Sequence, residues 1–132
     1  MAESVKQKIS DVRETPSESL KMSIRGRCLD SGLPKSMQFT AVDVKRALDE
    51  SVDHIISAVR ETLDETPPEL AGDIIVDGIV LAGGGALLGG LAERISKATN
   101  LKVSVADEPL TCVVRGCGRA LEEINTLRRI SI

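Results

Sequence analysis

Three consecutive glycines, Gly83 to Gly85, are the residues whose type and spacing could do chemistry most directly. They lie in the segment DGIVLAGGGALLGGL, Asp77–Leu91, between an apolar stretch and a helical pattern that starts near Ala86. A glycine turn between a strand and a helix leaves backbone N–H groups at the positive helix end, which suits a phosphate or another anion. Because glycine has no Cβ, a ligand can also approach the backbone closely. Two interpretations stay open: an anion site, or a tight turn with nothing bound.

The other reactive residue types are too few or too scattered to form a catalytic site. Cys28, Cys112 and Cys117 have no C-x-x-C spacing, which favours reduced thiols over a disulfide framework or a zinc site. His54 is the only histidine, and it falls within a helical pattern. The glycine segment is not a P-loop, and Leu88 stands where G-x-G-x-x-G needs its last glycine. Local chemistry therefore indicates half of a ligand site and no catalytic constellation.

Composition and charge limit the class of protein and its partners. A chain of 132 residues suits about one domain, and a hydrophobic content of 42% is typical of a globular protein. The net charge of -3 and a single aromatic residue, Phe39, argue against a nucleic-acid partner. No apolar segment approaches the roughly 20 residues of a membrane-spanning helix, and the N-terminus has no apolar signal core. We therefore expect a soluble, cytoplasmic protein.

The elements that must position the glycines follow from apolar periodicity. In the first half, the spacing predicts an amphipathic helix over 2–12, an antiparallel hairpin with strands around 20–24 and 36–39, and a long helix over 41–65. Thr40 and Asp43 have the spacing of a capping box at the start of that long helix.

The second half alternates between strands and helices. The pattern predicts a short helix over 68–75, a strand over 79–82, a helix from 86, a strand over 101–105 and a last helix after Asp107. The four apolar residues Ile79–Ala82 predict a strand covered on both faces. Asn100 is expected to end the helix that follows the glycines. The last helix is expected to bury an apolar stripe, made by Val113, Cys117, Leu121 and Ile124.

These elements indicate an α/β fold class with two regions. Residues 14–65 form a small α+β subdomain, and residues 66–125 form an α/β layer that contains the glycines. Residues 1–13 are a separate N-terminal helix, and residues 126–132 are a tail without a clear pattern.

The order of four motifs resembles the C-terminal part of the MreB family, the bacterial actin homologues that set rod shape. The motifs are, in chain order, IRGRCLDSGLPK (Ile24–Lys35), ETPPELAGDI (Glu65–Ile74), GIVLAGGGALLGGL (Gly78–Leu91) and DEPLTCVVRGCGRAL (Asp107–Leu121). The resemblance covers nearly the whole chain, from Ala2 to about Ile124. It implies part of an actin-like ATPase fold of the ribonuclease H-like type, with subdomain IIB over 17–65 and part of IIA over 67–121.

The resemblance also implies a nucleotide site with ATP as the cofactor. In the family, the triple glycine lies in the adenosine motif beside the nucleotide, which carries over to Gly83, Gly84, Gly85 and the adjacent Ala86. The family's A-E-x-I-K helix lines the adenine and ribose pocket. Here that helix reads AESVK, so Glu3 and Lys6 are the matching positions.

Several departures from the family pattern limit what this chain does alone. Ala82 replaces the usual threonine before the glycines, and Gly89 replaces a charged residue in the following turn. The phosphate-binding hairpins, the residues that place magnesium and water, and the membrane anchor have no counterpart in the sequence. The sequence therefore predicts no metal site and no ATP hydrolysis by the isolated chain.

Three functions from different classes compete. The leading interpretation is part of an MreB-like protein that binds ATP, self-associates into filaments and guides cell-wall synthesis with cell-shape and wall-synthesis proteins. Such a chain would meet the membrane only indirectly, through full-length filaments. The alternative is a truncated, stand-alone interaction module that binds filaments or partners without nucleotide. A third interpretation, an actin-like enzyme such as a sugar kinase, is opposed by the missing phosphate loops.

Overall fold

The computed structural model describes residues 2–17 and 19–124, which form five α-helices, a 3₁₀ turn and two small sheets. The elements are, in chain order, α1 (Ala2–Ile9), β1 (Lys21–Arg27), β2 (Pro34–Thr40), α2 (Ala41–Asp64), α3 (Pro68–Asp77), β3 (Ile79–Leu81), the 3₁₀ turn (Gly84–Leu87), α4 (Leu91–Thr99), β4 (Val103–Val105) and α5 (Cys112–Glu122). The predicted tail lies outside the described residues, and the predicted domain boundaries stay a prediction.

The first half contains the predicted hairpin and long helix. Strands β1 and β2 pair antiparallel, from Lys21 opposite Thr40 to Arg27 opposite Pro34. The Asp43 N–H donates to Thr40 Oγ1 at 3.3 Å, and the Thr40 N–H donates to Asp43 Oδ2 at 2.9 Å. These reciprocal bonds are a capping box, so the sequence prediction for the start of α2 is confirmed.

The second half contains a short parallel sheet. Strand β3 pairs with β4, from Ile79 opposite Val103 to Leu81 opposite Val105. Gly78, which joins α3 to β3, has φ +82, and a Cβ there would lie 2.4 Å from the Lys102 carbonyl oxygen. This position requires glycine because both its backbone conformation and its contact with Lys102 exclude a side chain. Asn100 ends α4 in the left-handed conformation, as predicted.

The core lies between α1, α2 and α4, in two apolar clusters. One cluster contains the buried residues Val12, Val52, Leu91 and Ile95, and the other contains Val5, Ile9 and Val44. Leu48 of α2 packs against both clusters and therefore joins them. Helix α2 therefore contributes to both clusters, and α1 and α4 both pack against it.

The last predicted helix begins only at Cys112, after Asp107 and Pro109, and two further helix boundaries, both close to glycines, are also wrong. Helix α1 ends at Ile9, and Val12 lies beyond it, where its N–H donates to the Gly89 carbonyl oxygen and its side chain is fully buried. The helix after the glycines begins at Leu91 and not near Ala86. Gly90 has φ +83, which interrupts any helix that started in the preceding turn.

Two predictions of burial in the second half are also wrong. Neither α3 nor α5 buries a residue, and Val113 and Leu121 of the expected buried stripe are 69% and 68% exposed. Val80 is 64% exposed, so β3 is not covered on both faces. The accessible surface is 9926 Å², against about 6,700 Å² for a compact 14.1 kDa monomer.

Among the described residues, no helix is long and apolar enough to cross a membrane.

Candidate functional site

A cavity of about 200 Å³ lies between α1, α2 and the glycine turn, which we define as residues 83–88. We call it the glycine cavity. Its walls come from three places in the chain: Glu3, Lys6, Gln7 and Ser10; Leu48, Ser51, Val52 and Ile55; and Gly84, Gly85, Leu87, Leu88 and Leu91. Of the six predicted site residues, the fold therefore brings four to one cavity: Glu3, Lys6, Gly84 and Gly85.

The two glycines of the cavity wall leave space that the chain itself does not fill. A Cβ on Gly85 would meet no atom within 4 Å, and a Cβ on Gly84 would meet only Leu110 Cδ2, at 3.6 Å. Neither residue has a positive φ, so their own conformation does not demand glycine. Their lack of a side chain therefore serves to expose the backbone to the cavity, which fits close approach by a planar ligand.

The other two predicted site residues do not line the glycine cavity. Gly83 has φ +80, and its N–H donates to the Pro109 carbonyl oxygen at 2.7 Å. Ala86 is buried and lines a separate, open depression next to α4. Since α4 begins only at Leu91, the triple glycine opens a single 3₁₀ turn and not an α-helix, so the α-helix N-terminus on which the expectation of an anion site rested is not there.

A charged pair stands at the edge of the cavity, on the first turns of α1. Lys6 Nζ lies 2.7 Å from Glu3 Oε2, and Gln7 Nε2 donates to Glu3 Oε1 at 3.3 Å. The hydrogen bond from Lys6 is the main reason that the pKa of Glu3 is lowered. An ammonium donor and a carboxylate acceptor beside a leucine-rich wall suit a heterocycle with polar edges and an attached sugar.

The segment Ser10–Arg13, which we call the strap, was not predicted from the sequence. The Val12 N–H donates to the Gly89 carbonyl oxygen at 2.8 Å, and the Gly89 N–H donates to Ser10 Oγ at 3.3 Å. The strap thereby joins the end of α1 to the residue that follows the glycine turn. The sequence signal for this contact was the pair Gly89-Gly90, which follows the triple glycine. A simple turn from a strand to a helix does not need these two additional glycines.

Asp11 holds the strap in shape from inside the protein. Its side chain is 3% exposed and accepts hydrogen bonds from Arg13 Nε at 2.8 Å, from Arg13 Nη2 at 2.7 Å and from the Ser17 N–H at 2.8 Å. The Arg13 guanidinium, followed by the backbone N–H donors, lowers the pKa of Asp11 to about 2. The buried charge is therefore fully compensated by donors close to it in the sequence.

Arg94 connects the strap to the two core helices. Its Nη1 atom lies 2.6 Å from Asp49 Oδ1, and its Nη2 atom lies 2.6 Å from Asp53 Oδ1. The same Nη1 donates to the Val12 carbonyl oxygen at 3.2 Å. The pKa of Asp49 is lowered, first by Lys45 and then by Arg94, and Asp49 is the main reason that the pKa of Arg94 is raised. One guanidinium thus links α2, α4 and the strap.

The glycine cavity combines an open glycine backbone with a charged edge, which suits an organic ligand more than a metal ion. Among residues 2–17 and 19–124, no group of three or more histidine, cysteine, aspartate or glutamate side chains could hold a metal. We therefore derive no step through a magnesium ion from these described residues.

Comparison with known proteins identifies relatives over nearly the whole chain. The MreB/Mbl protein family matches residues 1–129. The cell shape-determining protein Mbl of Bacillus subtilis (strain 168) is 40% identical over 126 residues, which are 96% of this chain and 38% of Mbl. The cell shape-determining protein MreB of Haemophilus influenzae is 42% identical over 125 residues, which are 94% of this chain and 36% of that protein.

A solved structure agrees with these relatives. The crystal structure of MreB5 of Spiroplasma citri bound to AMPPNP superposes with a TM-score of 0.85 at 32% identity, over 98% of this chain and 39% of MreB5. The fold is therefore a partial actin-like fold, as predicted. The chain spans well under half the length of each of these three proteins. The chain belongs to the MreB/Mbl family of actin-like, cell shape-determining proteins.

Proposed function

We propose that this chain forms one wall of an adenine-nucleotide cleft in an MreB-like protein that binds ATP and assembles into filaments. The observation that carries the proposal is the meeting of Glu3 and Lys6 with Gly84 and Gly85 at one cavity. These residues come from segments about 80 positions apart in the sequence. The related MreB5, solved with AMPPNP bound, supports the choice of an adenine nucleotide as the ligand.

The size of the cavity indicates which part of the nucleotide this wall contacts. Complete ligand pockets enclose roughly 300–1,000 Å³, whereas the glycine cavity has about 200 Å³. We therefore assign the base and the ribose to this chain and leave the phosphates outside its contacts. In this proposal, Lys6 donates to the base or the sugar, Glu3 accepts from a hydroxyl group, and the base lies against Gly84 and Gly85. The proposal gives this chain no catalytic residue.

Equilibrium dialysis with radiolabelled ATP, ADP and AMP tests the nucleotide site. We expect weak binding, in the range of roughly 0.1–1 mM, because only one wall of the cleft contacts the ligand. The three nucleotides should bind equally well, since the phosphates make no contact here. A preference for ATP of more than about tenfold, or nanomolar binding, would contradict the assignment.

A matched pair of glycine variants locates the bound nucleotide. Gly85→Val fills the glycine cavity, and Gly116→Val is the control, because neither position has a positive φ or an atom within 4 Å of an added Cβ. Binding should disappear in Gly85→Val and persist in Gly116→Val. Equal binding by both variants would place the nucleotide elsewhere on the chain.

A second candidate function has its own supporting observation. Large apolar side chains on α3 and α5 are exposed, among them Leu70, Ile75, Val76, Val113, Val114 and Leu121. Such a surface favours an interaction module that binds filaments or cell-shape and wall-synthesis proteins without nucleotide. Co-sedimentation with filaments of a full-length MreB separates the two functions when ATP binding is measured in parallel. A chain that pellets with filaments but does not bind ATP is the interaction module.

A further inference from the structure

We propose that the strap is a positioning element, which holds α1 against the glycine turn and so sets the width of the glycine cavity. The inference rests on the proposed nucleotide site and deepens it by naming what fixes the distance between its two walls. Ser10 and Gly89 are the positioning residues of this contact. Ser10 also lines the glycine cavity, whereas Gly89 does not, so Gly89 is the residue that acts through position alone.

Hydrogen bonds between the strap and Gly89, the residue after the glycine turn, run in both directions. Val12 donates to the Gly89 carbonyl oxygen at 2.8 Å, while the Gly89 N–H donates to Ser10 Oγ at 3.3 Å. On the far side of the strap, Arg94 donates to the Val12 carbonyl oxygen at 3.2 Å. The position of the strap is thus fixed from the turn and from α4 at the same time.

Packing at Gly89 leaves the strap no room to move closer. A Cβ on Gly89 would lie 2.4 Å from the Ser10 carbonyl oxygen, which is backbone and cannot rotate away. Gly89 does not have a positive φ, so alanine would fit its own conformation. The strap alone therefore excludes a side chain at this position. Gly90 differs, because its φ of +83 already disfavours other residues.

Helix α1 is held by the packing of Val5 and Ile9 against α2 and, at its C-terminal end, by this contact. It has only eight residues, and a helix of that length is not stable in water without tertiary packing. The Ser10 N–H donates to the Lys6 carbonyl oxygen at 3.1 Å, so the strap continues directly from the last turn of α1. A displacement of Ser10 is consequently transmitted to Lys6, one turn away, and changes the distance across the cavity.

The test compares Gly89→Ala with the matched control Gly72→Ala, whose added Cβ on α3 would meet no atom within 4 Å. Hydrogen exchange of the Val12 amide reports the strap, and exchange of the buried Val52 amide in α2 reports the fold. In Gly89→Ala, we expect the Val12 amide to exchange about tenfold faster while the Val52 amide stays protected. The dissociation constant for ATP should rise about tenfold, and the control should change neither property.

Ser10→Ala is the gentler second variant, because it removes only the hydroxyl that accepts from Gly89. It should raise the dissociation constant for ATP about threefold. Faster Val12 exchange with wild-type ATP affinity in both variants would show that the strap is structural only, and would overturn the positioning role.

The positioning role remains testable if the wild-type chain does not bind ATP, a result that overturns the proposed function. The amide chemical shifts of Lys6 and Gly85 report the two walls of the cavity. Both should change in Gly89→Ala and neither in Gly72→Ala. An unchanged Lys6 shift in Gly89→Ala would show that α1 does not depend on the strap.

Discussion

Two regions of this chain have similar sequence patterns and very different packing. Helices α4 and α5 are both strongly amphipathic, yet Ile95 of α4 is fully buried whereas Val113 of α5 is 69% exposed. We call α1, the strap, α2 and α4 the packed region, and α3 with α5 the open region. The difference shows that an apolar stripe makes a helix suitable for packing but does not show that the stripe is buried. Burial requires in addition that the partner surface be present.

Charged residues repeat this contrast. The packed region has local ion pairs but also pairs that join distant segments, as when Arg94 meets Asp49, 45 residues away in the sequence. In the open region, Arg115 pairs with Glu108, only seven residues away, and both side chains are more than half exposed. Long-range pairs fix the relation of one element to another, while the local pair fixes only its own turn. Equivalent substitutions in the two regions should therefore have unequal effects.

The largest difference is expected for apolar truncation. Ile95→Ala removes a fully buried side chain from the core and should lower the free energy of unfolding by about 2–5 kcal/mol. Val113→Ala, at a position that is 69% exposed, should change it by less than about 0.5 kcal/mol. Urea denaturation followed by circular dichroism measures both. Equal losses would mean that α5 packs in solution on a surface within this chain.

Acid should reveal the buried carboxylate of the packed region. Asp11 has a folded-state pKa of about 2, below its ordinary value near 4, so its stabilising effect is complete only above about pH 5. Protonation of Asp11 should by itself lower the free energy of unfolding by about 2 kcal/mol between about pH 5 and pH 2. Asp11→Asn should be less stable at pH 7 and should lose that part of the pH dependence. The same acid slope in wild type and variant would rule out Asp11 as its source.

Removing one arginine from each region compares how much the ion pairs of the two regions contribute to stability. Arg94→Ala leaves Asp49, Asp53 and the Val12 carbonyl oxygen without this donor, and should cost about 1.5 kcal/mol. Arg115→Ala breaks an exposed local pair and should have little effect. Thermal unfolding of both variants at low and high salt measures the contrast. A larger effect at Arg115 would reverse the proposed ranking of the two regions.

The smallest contrast concerns the helix caps. Thr40→Ala removes the side chain that accepts from the Asp43 N–H at the start of α2, and should cost about 1 kcal/mol. Thr111 occupies the same position before α5 but caps no backbone N–H with its side chain. Thr111→Ala should therefore be nearly neutral in the same denaturation experiment. A clear loss of stability there would show a cap in solution that this geometry lacks.

Local patterns were sufficient for the hairpin, the capping box at Thr40 and the end of α4 at Asn100. They failed at the strap because Val12 follows Ile9 at helical spacing, while Asp11 accepts from nearby backbone N–H groups and so competes with the helix. They failed again at Ala86, because alanine favours a helix, whereas Gly90, four residues later, has φ +83 and so ends any helix before it.

The candidate site was accessible from sequence only through the family resemblance. That resemblance named Glu3, Lys6 and the triple glycine. Of these residues, Glu3, Lys6, Gly84 and Gly85 line one cavity. It did not name Ser10 or Gly89, because their role arises from a close contact between segments 79 residues apart. Apolar periodicity predicts which side of a segment is buried. It does not predict which two distant segments come into contact.

The large accessible surface of the folded chain, 9926 Å², also determines how its stability responds to temperature. The heat capacity of unfolding comes mainly from apolar surface that is newly hydrated, and it is ordinarily about 1.6–2.0 kcal/mol/K for 132 residues. The apolar side chains of α3 and α5 already contact water in the native state, so unfolding hydrates less new surface. Calorimetry should therefore give a smaller heat capacity change and a shallow stability curve. For the same reason, cold should weaken this protein less than it weakens a compact protein of equal length.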